Sequence, residues 1–141
     1  MPNIAIIWDF DGTLTPDCST TKTVEFLNGI GAGKEFWETI KTLKGEKGIS
    51  QKKGWEHILG TDAPLWMYSL ARHAFTKGAP LNDEFFKHFI VPQIKLYDNT
   101  LTMLKRIKDL SSSPDFAKCK LEVHHFVVAA GLKDLIRACF P

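Results

Sequence analysis

The stretch that decides the fold is NIAIIWDFDGTLTP, residues 3–16, in which a short apolar run ends in two aspartates and a glycine. The run at 3–10 is rich in isoleucine and shorter than a typical helix, so it predicts a buried β-strand. Gly12 and the proline at the end of the stretch interrupt regular structure and predict a loop directly after that strand. Asp9 and Asp11 are therefore expected at the strand's carboxyl end.

A long segment with helical periodicity follows, from about residue 20 to residue 96. Apolar side chains recur there at helical spacing, and Pro92 is expected to kink or end the last helix of the segment. Two apolar stripes stand out: Phe36, Ile40 and Leu43 in one helix, and Met67, Leu70, Ala71 and Ala74 in another. With a further short helix between Gly54 and Gly60, the segment predicts a compact helical subdomain inserted after the first strand.

The rest of the chain returns to the pattern of a sheet. An amphipathic helix is predicted at 98–110 and a second strand at 121–130, whose end is apolar on both faces as in a buried parallel strand. Another helix follows Gly131. Strands joined through helical crossovers run parallel, and open parallel sheets gather reactive groups at the carboxyl ends of their strands. The two strand ends are thus expected on one rim of an α/β fold.

The composition is that of an ordinary globular protein with one domain, or one domain carrying an insertion. The 141 residues are 44% hydrophobic and 24% charged, and the net charge of +2 is too small to favour nucleic acid or an anionic membrane as a partner. No apolar run approaches the ~20 residues of a membrane span, and no secretory signal is evident, so a cytoplasmic location is predicted. Three widely spaced cysteines are interpreted as reduced thiols: Cys18, Cys119 and Cys139.

Asp9 and Asp11 form a candidate catalytic pair. Side chains two positions apart on extended backbone lie on the same side, and two close carboxylates repel unless a cation neutralises them or one takes up a proton. Hard oxygen ligands at this spacing suit Mg²⁺, which binds through one or two carboxylates together with substrate phosphate. Gly12 lets the backbone turn closely around a ligand, and the Thr13 hydroxyl is a candidate to hold a phosphate oxygen.

Residues 9–15, DFDGTLT, resemble the first signature of the haloacid dehalogenase superfamily, D-x-D-G-T-[LV]-T after an apolar strand. The resemblance implies a phosphatase-like hydrolase that acts on small phosphate monoesters. It implies that Asp9 is the nucleophile that forms an aspartyl-phosphate, and that Asp11 is the general acid and base. Asp9 through its carboxylate and Asp11 through its backbone carbonyl would then bind Mg²⁺.

The same resemblance implies a fold: a Rossmann-like parallel sheet, incomplete in this chain, with an inserted α-helical cap. Accordingly, residues 1–17 and 97–141 are expected to form the amino-terminal half of the core, and residues 18–96 the cap. Many members of the superfamily insert such a cap directly after the first signature. Caps of this kind close over the site, exclude water and select the substrate.

Residues 127–136, VVAAGLKDLI, resemble the second signature of the superfamily, in which a strand ends in Ser or Thr shortly before a glycine. The hydroxyl position falls on Ala129, so one side-chain hydrogen bond to phosphate is lost. Backbone donors at Ala130 and Gly131 are still expected to bind phosphate at the start of the next helix. Lys133 lies inside that helix and is not assigned as the catalytic lysine of the superfamily.

The later signatures, which supply that lysine and further acidic Mg²⁺ ligands, would lie beyond the ten residues that follow Gly131. The chain is therefore expected to lack the carboxyl-terminal part of the core and to expose a sheet edge, which a homodimer would cover. Two alternatives to hydrolysis stay open. One is a truncated, non-catalytic remnant that acts as a binding or interaction protein, and the other is phosphate transfer or dehalogenation on the same scaffold.

Three further signals have ordinary structural explanations. His124 and His125 are adjacent on a strand, so their side chains are expected on opposite faces, not at one metal site. A lysine cluster in the helical segment either steers an anionic substrate or lies on a solvated surface. Trp37, Trp55 and Trp66 either line a specificity pocket or pack between helices.

Overall fold

A computed structural model of the protein describes residues 2–45 and 62–140. The described chain is mixed α/β and mostly helical, which confirms the α/β class predicted from the sequence. It divides into two compact units. The sheet unit comprises Met1–Asp17 and Lys95–Ala129, and the helical unit comprises Cys18–Ile94 and Ala130–Pro141. The short helix predicted between Gly54 and Gly60 lies outside the described residues.

In residues 2–45 and 62–140, six α-helices lie between the two β-strands and one follows the second strand, when the non-α turns are set aside. They are β1 Asn3–Trp8, α1 Ser19–Asn28, α2 Ala32–Gly45, α3 Asp62–Thr76, α4 Asp83–Phe85, α5 Thr100–Asp109, α6 Pro114–Ala117, β2 Glu122–Val127 and α7 Lys133–Ala138. A π-helical turn at Phe86–Ile90 and a 3₁₀ turn at Val91–Gln93 continue α4, and a 3₁₀ turn at Leu110–Ser112 continues α5.

The sheet unit is built on two parallel strands. β1 and β2 pair in register from Asn3 opposite Glu122 to Trp8 opposite Val127. The β-branched and aromatic residues of both runs favour extended backbone, and the long connection between them permits a parallel pairing. The parallel arrangement predicted from the element order is therefore confirmed, and both strands end at the same edge.

The two faces of this sheet differ in burial. Ile6, Trp8 and His125 are half-buried on one face, and α5 packs against β2. On the other face Ile7 is 68% exposed and its cross-strand partner Phe126 is 51% exposed. The first strand, which was predicted to be buried, is therefore open on this face, and the prediction that the end of the second strand is buried on both faces is wrong for the described chain. Their residue types produce strands, but burial also needs a second covering layer, and the described residues supply none for this face.

The helical unit packs α1, α2 and α3 around one apolar cluster. Its buried members are Val24, Phe36, Ile40, Leu65, Trp66 and Leu70. The stripe predicted on α2 is confirmed, because Phe36 and Ile40 are buried and Leu43 packs beside them. The stripe predicted on α3 is only partly correct: Leu70 and Ala74 are buried, whereas Met67 and Ala71 face solvent.

A second apolar cluster in the helical unit joins Phe85, Phe86 and Ile90 to Leu135 of α7. As predicted, Pro92 ends the helix, since it lies in the 3₁₀ turn that follows the π-helical turn. Compact packing thus groups α7 with the helical residues, whereas the sequence analysis expected residues 97–141 to belong to the core.

Candidate functional site

The loop after β1 is a tight turn organised by one backbone carbonyl. The Phe10 carbonyl accepts hydrogen bonds from the backbone N–H groups of Thr13, Leu14 and Thr15, at N···O distances of 3.2, 2.9 and 3.3 Å. The side chains of Phe10 and Leu14 are fully buried, so apolar burial anchors the turn at both ends. Residues 9–15 therefore form a loop at the carboxyl end of the first strand, as the sequence predicts.

Gly12 occupies a backbone conformation that glycine adopts more readily than other residues. Its φ is +77°, and a side chain in this left-handed region costs about 1–2 kcal/mol. Its N–H donates to the Thr15 carbonyl at 2.7 Å, and an isolated β-bridge pairs Asp11 with Thr15. Gly12 thus lets the chain reverse its direction directly after the second aspartate.

Asp9 and Asp11 flank the buried Phe10 and are both more accessible than it is. Asp9 is exposed and Asp11 is half-buried. The Thr13 hydroxyl donates a long hydrogen bond of 3.5 Å from Oγ1 to Asp9 Oδ2, which links the predicted phosphate-binding hydroxyl to the predicted nucleophile. The structure therefore brings four predicted site residues together in one loop: Asp9, Asp11, Gly12 and Thr13.

The loop carries two carboxylates, those of Asp9 and Asp11, at the place where the sequence predicts a magnesium ion. Mg²⁺ retains several waters and commonly binds through one or two carboxylates plus substrate oxygens, which is what Asp9 and Asp11 offer. Within residues 2–45 and 62–140, no group of three or more histidine, cysteine, aspartate or glutamate side chains is arranged to hold a metal ion. A metal at this loop would therefore draw on two protein residues, with water and substrate oxygens in the other positions.

The end of β2 lies beside the end of β1 in the sheet unit. The Val128 N–H donates to the Trp8 carbonyl at 2.8 Å, which extends the pairing one residue beyond the strand and up to the residue before Asp9. Ala129, the last residue of this unit, is half-buried and provides a methyl group where the superfamily pattern has a hydroxyl.

The two backbone donors predicted from the second signature belong to the helical unit. Ala130 is exposed and Gly131 is half-buried. A Cβ atom added at Gly131 would lie 2.9 Å from Ile136 Cδ1 and 3.5 Å from Ser19 Oγ, so the glycine lets the backbone approach these side chains closely. Gly131 is therefore explained by packing within the helical unit, and its predicted phosphate contact stays a prediction.

The two adjacent histidines of β2 do point in opposite directions. Trp8 Nε1–H donates to His125 Nδ1 at 3.0 Å across the sheet, which places the ring proton of neutral His125 on Nε2. That Nε2 atom is buried and has no hydrogen-bond partner among the residues that the structure describes. His124 is exposed and lies 3.5 Å from Glu122, so the prediction that the two histidines point to opposite faces of the strand is supported by the geometry.

Tryptophans of the helical unit have packing partners. Trp37 Nε1–H donates to Thr21 Oγ1 at 2.8 Å, and its ring packs edge-on against Phe36 and Trp66. Packing between helices therefore accounts for Trp37 and Trp66, whereas Trp55 lies outside the described residues.

Two polar side chains next to the loop, those of Thr15 and Asp17, were not predicted as site residues from the sequence. Thr15 and Asp17 close the first segment of the sheet unit, and both bond to the backbone of Lys95, where the chain re-enters this unit. Thr15 is fully buried. Thr15 is the last residue of the quoted signature and Asp17 follows two positions later, but their partner lies too far along the chain to be identified from local sequence.

Comparison of this chain with known proteins identified no relative. Scans against protein-family models, curated proteins and solved structures found no match to this chain. In the described part of the chain, no helix combines the length and the apolar character needed to span a membrane.

Proposed function

We propose that this chain is a Mg²⁺-dependent phosphoric monoester hydrolase of the haloacid dehalogenase type, in which Asp9 forms an aspartyl-phosphate. The observation that carries the proposal is the D-x-D-G-T loop itself. It folds as a tight turn at the carboxyl end of a parallel strand, with Asp9 accessible and bonded to the Thr13 hydroxyl. A Rossmann-like core with a helical cap and a cytoplasmic location belong to the same proposal.

Asp9 acts as the nucleophile. A carboxylate oxygen of Asp9 attacks phosphorus, the bond between phosphorus and the ester oxygen breaks, and the phosphoryl group is carried on Asp9. The exposure of Asp9 leaves room for this approach, and the Thr13 hydroxyl orients the carboxylate through its bond to Oδ2. Thr13 can also turn its hydroxyl towards a phosphate oxygen when substrate arrives.

Asp11 acts as the general acid and then as the general base. It donates a proton to the leaving alcohol oxygen, and in the second step it takes a proton from the water that attacks phosphorus and releases phosphate from Asp9. The bridge between Asp11 and Thr15 and the turn at Gly12 fix the backbone on both sides of this acid. One carboxylate therefore serves as nucleophile, and the other transfers protons in both steps.

Mg²⁺ would be held by the Asp9 carboxylate and the Asp11 backbone carbonyl. When bound, the ion neutralises the negative charge that the carboxylates and the phosphate bring together. The half-buried position of Asp11 makes such neutralisation more important, because repulsion between carboxylates grows where water is displaced.

The proposed activity is tested with p-nitrophenyl phosphate in the presence of Mg²⁺. Release of p-nitrophenol should require Mg²⁺, stop when EDTA removes it, and fall to background in Asp9→Asn. Asp11→Asn should lower kcat by roughly a hundredfold or more, the usual contribution of general acid–base catalysis. Asp115→Asn, an exposed aspartate on α6, is the matched control and should leave the rate unchanged. Wild-type release that is independent of Asp9 would refute the proposal.

The alanine in the second signature supplies a gain-of-function test. A hydrogen bond to a charged group contributes about 1.5–3 kcal/mol, so Ala129→Ser should raise the rate roughly tenfold to a hundredfold if the missing hydroxyl limits phosphate binding. Ala129→Val adds two methyl groups but no hydroxyl and should not raise the rate. Equal rates in all three proteins would contradict the assignment of residue 129.

A non-catalytic remnant is the second candidate, and two observations favour it. Ala129 offers no hydroxyl, and the described residues contain no cluster of three or more metal-ligating side chains. This candidate predicts Mg²⁺ or phosphate binding by calorimetry without release of p-nitrophenol. The homodimer predicted from the sequence, in which a second copy covers the exposed sheet edge, belongs with this candidate.

A further inference from the structure

A closed cycle of hydrogen bonds joins the two places where the chain leaves and re-enters the sheet unit. The Thr15 hydroxyl donates to the Lys95 carbonyl at 2.8 Å and accepts the Asp17 N–H at 3.1 Å. The Asp17 carboxylate in turn accepts the Lys95 N–H at 3.1 Å. We call Thr15, Asp17 and Lys95 the crossing clamp. In it, the side chains of Thr15 and Asp17 bond both backbone groups of Lys95, which lies about 80 positions further along the chain.

The chemistry of the clamp depends on the side chains of Thr15 and Asp17. A hydroxyl both donates and accepts, and both capacities of Thr15 are used here. The Thr15 side chain is fully buried, so replacing it with an apolar group of the same shape would leave the Lys95 carbonyl and the Asp17 N–H without these partners. Threonine is therefore not equivalent to valine at this position.

Backbone bonds connect the clamp directly to the loop of the proposed site. The Thr15 carbonyl accepts the Gly12 N–H, the Thr15 N–H donates to the Phe10 carbonyl, and a bridge pairs Thr15 with Asp11. The neighbouring Leu14 carbonyl accepts the Tyr97 N–H at 3.0 Å, which adds a second attachment to the returning segment. A shift of Thr15 would therefore move Gly12 and Asp11 with it.

We infer that Thr15 and Asp17 are positioning residues for catalysis: they bind the returning segment at Lys95 and thereby hold the Asp9–Asp11 loop in its reactive geometry. The inference rests on the proposed function for its catalytic consequence. The claim that the clamp orders the loop depends only on the hydrogen bonds described above and not on the proposed function. Neither residue contacts substrate in this role, since both act through the backbone of the turn.

The first test measures loop order without any reaction. Amide hydrogen exchange of Gly12 and Lys95, followed by NMR in the intact chain, should quicken about tenfold in Thr15→Val, because loss of a buried hydrogen-bonding group corresponds to roughly that factor. Thr15→Ser keeps the hydroxyl and should restore the exchange rates. Thr39→Val, which removes a hydroxyl bonded within α2 on the exposed surface, is the matched control and should leave both amides unchanged.

A second pair of variants addresses the other side chain of the clamp. Asp17→Ala removes the acceptor of the Lys95 N–H, whereas Asp17→Asn retains a carbonyl oxygen in the same place. Lys95 exchange should quicken in the first variant and stay close to wild type in the second. Unchanged Gly12 and Lys95 exchange in both Thr15→Val and Asp17→Ala would overturn the inference, even if one variant were less stable overall.

The predicted effect of the clamp on catalysis is tested by measuring kcat and KM separately with p-nitrophenyl phosphate. Misplacement of reacting groups lowers kcat, so Thr15→Val should lose roughly tenfold to a hundredfold in kcat with a smaller change in KM, and Thr15→Ser should recover it. An unchanged kcat in Thr15→Val beside an active wild type would overturn the positioning role. Quickened exchange in a protein whose wild type hydrolyses nothing would leave the clamp established and reject the proposed function instead.

Discussion

The helical unit and the sheet unit place their buried apolar residues differently. In the helical unit burial follows regular structure, because residues such as Ile40 and Leu70 lie on the inner faces of α2 and α3. In the sheet unit the strands leave Ile7 and Phe126 exposed, and the most deeply buried apolar residue is Phe10, in the loop that follows β1. The better anchored part of the sheet unit is thus the loop that carries the proposed site, not the outer face of the sheet.

This difference shows that local pattern and burial are separate properties. A helix buries its stripe when another helix lies beside it, and α1, α2 and α3 do this for one another. A sheet needs a covering layer on each apolar face, and one face of β1 and β2 has none among the described residues. Stability should therefore respond strongly to changes in the helical core and the loop, and weakly to changes on the open face of the sheet.

The largest effect is expected from Phe10→Ala. Removing a fully buried phenyl ring typically costs about 3–5 kcal/mol of unfolding free energy, and here it would also release the turn around the Phe10 carbonyl. Urea denaturation followed by circular dichroism measures the loss. Phe126→Ala makes the same chemical change at a half-exposed position and should cost much less; equal costs would show that the loop is not the anchor.

The helical core should come next, with Leu70→Ala. A buried leucine truncated to alanine costs about 2–5 kcal/mol, and Leu70 is completely buried between α1, α2 and α3. Leu101→Ala, on the exposed side of α5, is the matched control and should change the urea midpoint little. Similar losses in both variants would contradict the claim that burial in the helical unit follows the inner helix faces.

A smaller effect is expected from Gly12→Ala. The left-handed conformation disfavours a side chain by about 1–2 kcal/mol, although no atom of the described residues lies within 4 Å of the added methyl group. Gly78→Ala carries the same backbone penalty in the helical unit and should lower stability by a similar amount. Only Gly12→Ala should also reduce Mg²⁺-dependent hydrolysis, and a loss of hydrolysis in both would point to global instability.

The smallest effect on stability is expected from Ile7→Thr, on the open face of the sheet. Ile7 is 68% exposed, so the change should alter unfolding free energy by less than about 0.5 kcal/mol. It should instead reduce binding of the dye ANS and weaken any self-association seen by sedimentation velocity, because it removes apolar surface. A large loss of stability in dilute monomer would mean that the face is covered in solution.

Local sequence predicted those features that depend on neighbours along the chain. The isoleucine run gave β1, the glycine gave the turn after Asp11, and the proline gave the end of the helix near residue 92. The stripe on α3 was partly misassigned because Met67 and Ala71 are apolar enough to fit either face, and only the position of α2 decides which face is buried.

Features that depend on distant partners were not predictable in this way. The crossing clamp pairs Thr15 with Lys95, and no local rule connects them. Strand burial failed for the same reason, since it depends on layers that the strand's own residues do not specify. The candidate site was accessible to sequence reasoning because its four residues occupy five consecutive positions, from Asp9 to Thr13.

The separation between the two strands has a consequence for how the chain folds during synthesis. Trp8 and His125, bonded across the sheet, are 117 positions apart, so β1 must wait for its partner while a ribosome adds roughly 5–20 residues per second. The α1–α2 hairpin needs no such delay, because its contacts are short in sequence. For about ten seconds the isoleucine-rich segment of the nascent chain therefore stays unpaired, while the helices that follow it in sequence can already form. A chaperone that binds extended apolar segments would then recognise residues 3–8.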